Sequence, residues 1–308
     1  MNAAQCPTCG HPRMELDVFC ERCGTPIAPP TGPHDEAGAG VFGAVSDIGR
    51  RRTRNEDSFA VRADGPRVAA VVCDGVASTP LAGAASAQAA LAGLRALQPA
   101  LADSGLSAAR AHTALDGSLA AARRAVAPLG FGQAPGTPPV DGAPSTTFVA
   151  VLLAPGFVAA AGVGDSRAYW VPEGGAEVLL TRDDATAVVH LADLGAADGR
   201  RTPDGPDATA PTVLPLARQI TRWVGADDRS ARAEHGEVTT DSAGTVLLCT
   251  DGLWQYVDRP GELGRLVAAG RADHPGDPTG LARALVDTAL RAGGADNVTV
   301  VVVEVPPC

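Results

Sequence analysis

The chain has 308 residues and a mass of 31.0 kDa, with 45% hydrophobic and 19% charged residues. That apolar content excludes a disordered chain and suits one large domain with a small appendage. A formal net charge of −10 excludes a general nucleic-acid coat, which needs surplus positive charge, while leaving room for local binding of phosphate or divalent cations.

Met1 leads into polar residues and a cysteine pair, without the apolar segment of a secretory signal, so the sequence points to a cytoplasmic protein. Cys6, Cys9, Cys20 and Cys23 form a C-x2-C-x10-C-x2-C pattern. Two such knuckles suit one tetrahedral zinc, each pair presenting two thiolates. The alternative, two disulfides, needs an oxidising compartment. Residues 1–24 are therefore expected to be a zinc ribbon, with metal binding supplying its folding energy. Its two arginines stand against three acids, which favours a structural or protein-contact role over nucleic-acid binding. Residues 25–40, rich in Pro, Gly and Ala, are expected to be a linker, and 41–305 the main domain.

Within that domain, apolar runs predict strands at Val41–Val45, Ser58–Val61, Val68–Cys73, Thr147–Leu153, Phe157–Gly162, Ala168–Val171, Thr245–Thr250 and Val298–Val305. Ala143–Gly164 carries no charge, but Pro155-Gly156 breaks it, so it reads as a hairpin of two buried strands rather than a membrane span. Helices are predicted at Gly83–Leu101, Ser107–Val126, Thr186–Leu194, Gly261–Ala269 and Thr279–Ala292, and a polar, Pro-rich insertion at about 185–215. Hairpins of strands with paired helices indicate an α+β fold.

Asp57, Asp74, Asp251 and Asp296 each sit at the end of a very apolar strand, where a sheet can fix several side chains together. Any one Asp-Gly reads equally well as a turn. Four such carboxylates gathered together would repel unless a hard cation such as Mg²⁺ or Mn²⁺ lay between them. The arginine run Arg50-Arg51-Arg52 with Arg54, just before Asn55-Glu56-Asp57, adds groups that grip phosphate oxygens. Cys73 and Cys249 lie in apolar runs and read as buried packing residues, not nucleophiles. The six histidines show no spacing that suggests ligands.

Across nearly all of Val41–Val305, SDIGRRRTRNEDSF, VVCDGV, STTFVAVLL, GVGDSRAYW, LTRDD, ITRWVGAD, CTDGLW and DNVT occur in that order. In these pieces the chain resembles the metal-dependent protein serine/threonine phosphatases of the protein phosphatase 2C family, in their bacterial form. The resemblance implies a four-layer α-β-β-α sandwich of two mainly antiparallel sheets flanked by helices. It implies hydrolysis of phosphoserine and phosphothreonine in proteins by direct attack of a metal-bridging water, opposing a serine/threonine kinase in signalling. Asp57, Asp74, Asp251, Asp296 and the Gly75 carbonyl would hold two Mn²⁺ or Mg²⁺, and Glu56 a metal-bound water. Arg52 would bind phosphate, and Asp141 would help hold a third cation. Three positions depart from the family: Val76 replaces a histidine of some members, Asp184 a common histidine, and Gln255 a frequent acidic ligand. The alternative is a catalytically silent scaffold that keeps the fold. Neither nucleic acid nor a membrane is implied as partner.

Overall fold

The computed structural model describes residues 32–79, 81–131, 142–188, 217–225 and 232–306. The four ribbon cysteines, Asp141 and most of the expected insertion lie outside these residues.

The chain opens with strands β1 (His34–Ala39), β2 (Phe42–Asp47), β3 (Asp57–Asp64) and β4 (Arg67–Asp74). Two long helices follow, α1 (Ala82–Leu101) and α2 (Ala108–Val126). Next come β5 (Ser145–Thr146), β6 (Phe148–Ala154), β7 (Phe157–Val163), β8 (Arg167–Pro172) and β9 (Val178–Leu179). Short strands β10 (Ala185–Val188), β11 (Ala217–Ile220) and β12 (Val224–Gly225) lead to β13 (Glu234–Thr239) and β14 (Gly244–Cys249). A single turn, α3 (Asp251–Trp254), precedes α4 (Glu262–Asp273), α5 (Pro278–Ala292) and the last strand, β15 (Val298–Val305).

One sheet has the order β1-β2-β15-β14-β8-β9, the other β13-β7-β6-β4-β3, and every pairing in both is antiparallel. Three apolar layers hold the sandwich together. Ala69, Val71 and Cys73 of β4 meet α1 and α2, while Val68, Ala70 and Val72 of the same strand meet the other sheet. Likewise Val301, Val303 and Val305 of β15 face the sheet interface, whereas Val298, Val300 and Val302 pack under α3–α5. Side chains alternate across a strand, so a strand covered on both faces must be apolar throughout. This explains the uninterrupted VAAVVC and VTVVVV runs, and the α-β-β-α layering follows from it.

Two expectations need correction. The end of the expected linker is β1, which pairs with β2 from His34↔Asp47 to Ala39↔Phe42. It is an exposed edge strand, made by backbone pairing without an apolar pattern. The helix expected from Thr186 is not formed over its described part. Ala185–Val188 is instead strand β10, paired with β11. The hairpin in the charge-free stretch is present as β6 and β7, turning at Gly156 with φ +90°. Among the described residues, no helix is long and apolar enough to cross a membrane.

Candidate metal-and-phosphate site

Antiparallel pairing brings one set of strand ends together. Asp57 at the start of β3 is directly opposite Asp74 at the end of β4. In the other sheet, β14 runs out into Asp251, and Asp296 stands just before β15, whose first residues pair with the end of β2. Four of the carboxylates read from the sequence therefore share one end of the sandwich, with the arginine loop between β2 and β3 beside them.

Asp57 is fully buried. Its Oδ2 accepts hydrogen bonds from Thr250 Oγ1 (2.9 Å) and Thr299 Oγ1 (2.8 Å). Its Oδ1 is buried without a partner, as is Oδ1 of Asp251. Asp74 is anchored by its backbone: its N–H donates to Thr147 Oγ1 (2.9 Å), and its carbonyl accepts from Thr146 Oγ1 (2.8 Å). Burial raises the carboxyls of Asp57, Asp74 and Asp251 above the usual range. The charges of Asp57 and Asp251 add to the effect at Asp74, and those of Asp165, Asp296 and Asp57 add to it at Asp251. Asp57 and Asp74 stand opposite each other on β3 and β4, and gathering such like charges needs a proton or a cation among them. Orphaned buried oxygens in a carboxylate cluster suit a hard divalent cation.

Arg52 reaches into this group. Its Nη2 donates to Asp296 Oδ2 at 2.6 Å, and Asp74 and Asp251 also favour its charge. The Arg52 side chain is 38% exposed, which leaves it accessible to a ligand. Gln255 Nε2 donates to Asp251 Oδ2. With Arg52 and Gln255 engaging Asp296 and Asp251, no three His, Cys, Asp or Glu side chains converge on one ion-sized point among the described residues. Glu56 sits at the rim with its carboxyl raised by burial, against the pull of Arg52 and Arg54.

Close backbone approach explains the glycines of the two Asp-Gly pairs. A Cβ at Gly75 would press on the Glu56 carbonyl (2.7 Å), and one at Gly252 would run into the Asn297 carbonyl. Gly75 N–H donates to that same Glu56 oxygen at 3.1 Å.

Several supporting residues escaped the sequence reading. Asn297 is 5% exposed and ties the arginine loop to the last strand. Its Nδ2 donates to the carbonyls of Ile48 and Arg54 (both 2.9 Å), and its Oδ1 accepts from the Glu56 N–H (2.8 Å). Asn55 Nδ2 donates to Ser46 Oγ at 2.9 Å. Asp165, between β7 and β8, is buried and adds its charge to Asp74 and Asp251. The signal was present, since Asp165 also follows an apolar strand.

Asp184 has a structural use. It accepts from Gly164 N–H at 3.1 Å and from Arg222, fixing the turn that presents Asp165. Trp254 supports the same turn by donating from Nε1 to the Asp165 carbonyl (2.8 Å), with Arg167 stacked 3.8 Å over its ring and bonded in turn to Asp183. Cys73 and Cys249 are buried, and burial raises both thiols, so neither is poised as a nucleophile. Two histidines do pair: the rings of His112 and His235 lie 4.8 Å apart, facing Glu237 (3.3 Å) and Asp116 (2.9 Å).

The Protein phosphatase 2C family model matches residues 49–285. The serine/threonine protein phosphatase PstP of Mycobacterium tuberculosis is 31% identical over 264 residues, which cover 86% of this chain and 45% of that protein. The chain thus spans less than half the length of that curated relative. The crystal structure of the Mycobacterium tuberculosis phosphatase PstP/Ppp superposes with a TM-score of 0.60 at 26% identity, covering 86% of this chain and 98% of that one. The catalytic domain of PstP in complex with two manganese ions gives a TM-score of 0.56 at 26% identity, covering 85% of this chain and 96% of that one. The family match across most of the chain, and strand ends that gather the carboxylates of its motifs, lead to one conclusion: the chain belongs to the protein phosphatase 2C family.

Proposed function

We propose that the chain hydrolyses phosphoserine and phosphothreonine in proteins in a reaction dependent on Mn²⁺ or Mg²⁺. The observation that carries this is the pair of orphaned buried oxygens, Asp57 Oδ1 and Asp251 Oδ1, in one carboxylate cluster with Asp74. Asp57, Asp74, Asp251, Asp296 and the Gly75 carbonyl are the groups that would hold two cations, with Asp165 extending the set and Asp141 the candidate for a third. When bound, such cations supply a water acidic enough to be a nucleophile at neutral pH and polarise the phosphoryl oxygens.

The chain's own residues do the rest. The hydroxyls of Thr250 and Thr299 occupy one oxygen of Asp57 and so turn the other toward the cluster. Arg52 exchanges part of its contact with Asp296 for the substrate phosphate, offsetting charge as it develops. Glu56 orients water at the rim. Val76 has no proton to give, so the leaving oxygen takes its proton from water.

The Cys6/Cys9/Cys20/Cys23 set is proposed to hold one structural zinc, from its spacing. A cytoplasmic setting and an opposing serine/threonine kinase complete the reading.

The test is phosphate release from a phosphothreonine peptide. Turnover that requires Mn²⁺, stops with EDTA and falls about a hundredfold or more in Asp251→Asn is expected. No turnover by folded, Mn²⁺-loaded wild type would favour the silent scaffold.

A further inference from the structure

Away from the carboxylate site, two histidines and two acids gather between α2 and the edge strand β13. His112 and Asp116 are four residues apart on α2, so they share one face of the helix. His235 and Glu237 are two residues apart on β13, so they share one face of the strand. Their partners on β7 are Ala161 and Ala159, which belong to the same apolar layer as Ala111 and Leu115 of α2. That face of β13 is therefore the one under the helix. Each element brings one imidazole and one carboxylate. The two spacings carry no signal in the sequence, because only the fold returns residue 235 to residue 112.

The pairs cross between the elements. His235 Nε2 lies 2.9 Å from Asp116 Oδ1, and His112 Nε2 lies 3.3 Å from Glu237 Oε2, with the two rings 4.8 Å apart. The first contact is a hydrogen bond. The second is not: His112 Nε2 is buried without a hydrogen-bond partner. A buried ring nitrogen left unbonded costs free energy unless another group takes the partner's place. The 3.3 Å separation is the spacing of two ligands on one ion, since a tetrahedral zinc with bonds of about 2.0–2.1 Å holds neighbouring ligand atoms about 3.3–3.4 Å apart. As placed, the four groups form two pairs, and no three converge on one point among the described residues. The Asp116 and Glu237 side chains are 63% and 54% exposed, so both carboxylates have room to turn toward an ion seated between the rings.

We propose that His112, His235, Glu237 and Asp116 bind one Zn²⁺. Two imidazoles with carboxylates suit zinc, whereas Mg²⁺ and Mn²⁺ prefer an all-oxygen set such as the carboxylate cluster. The ion braces β13, which pairs with β7 alone, against α2. The site is separate from the four N-terminal cysteines and from the carboxylates, and it does not rest on the phosphatase reading.

The test is equilibrium dialysis of the full-length chain against Zn²⁺ with Mg²⁺ in excess, comparing wild type with His112→Ala and His235→Ala. The cysteines are the same in all three, so wild type is expected to hold one zinc per chain more than either variant. A second measurement needs no variant. Diethyl pyrocarbonate acylates accessible imidazole nitrogens, and mass spectrometry locates the adducts. Zinc should protect His235 in the wild-type chain and leave His34, on β1, as reactive as before. Equal zinc content in wild type and both variants, or modification of His235 that zinc leaves unchanged, would overturn the proposal.

Discussion

Replacing Asn297 with alanine removes three hydrogen bonds at once, to Ile48, Arg54 and Glu56. Each such bond contributes about 1 kcal/mol net, so the loss is about 3 kcal/mol. For a domain of this size about 1 kcal/mol corresponds to roughly 2–4 °C, which puts the drop in Tm at about 6–12 °C. The domain should stay folded, because native stabilities run to about 5–15 kcal/mol. The larger effect falls on function: residues 48–56 carry Arg52 and Glu56, and without Asn297 they lose their tie to β15. Asn297→Asp keeps the acceptor for the Glu56 N–H but sets a buried carboxylate oxygen against the Ile48 and Arg54 carbonyls, so its melting temperature should lie no higher than that of alanine. Thermal melts with kinetics on a phosphothreonine peptide make the comparison. An alanine variant with unchanged Tm and unchanged kcat/KM would refute the idea that Asn297 organises the site.

Arg52→Ala should lower kcat/KM about 10²–10³-fold with Mn²⁺ affinity little altered, and an unchanged kcat/KM would remove Arg52 from the phosphate contact. The pH dependence follows from the raised carboxyls of Asp57, Asp74 and Asp251. With no Mn²⁺ or Mg²⁺, their contribution to stability is fully present below the unfolded value of about 4 and is lost as pH rises through the higher native values. Melts without these cations should therefore show Tm falling from about pH 5 toward neutrality, and Mn²⁺ should flatten the trend; a flat profile without cation would count against the clustered carboxylates. In Gly252→Ala the new Cβ meets the Asn297 carbonyl, and because the obstacle is backbone the cost should be at least about 1–3 kcal/mol by melting.

The architecture was legible wherever burial forces composition. β4, β6, β7, β14 and β15 are covered on both faces, and their apolar runs announce them. β1 is illegible in the sequence because an exposed edge strand such as HDEAGA needs only backbone pairing with β2. β10 reads as helix from sequence because so short a strand has no periodicity of its own and depends on a distant partner, β11. Asp57, Asp74, Asp251 and Asp296 could be found because each terminates an apolar strand. Asp165 obeys the same rule, following β7 after a single glycine. Asn297, Thr250 and Thr299 could not be ranked from sequence, because their importance lies in bonds to Glu56 and Asp57 across long stretches of chain. Asp184 shows the converse: a departure from the family pattern has its own task, holding Gly164 in place.

Asp57, Asp74, Asp251 and Asp296 are proposed to hold cations, and calorimetric titration of Mn²⁺ onto the chain decides whether they do. Two Mn²⁺ should bind per wild-type chain, and binding should be lost in Asp57→Asn and Asp251→Asn, both remaining folded. Wild-type binding that survives in both variants, or no binding by folded wild type, would contradict it.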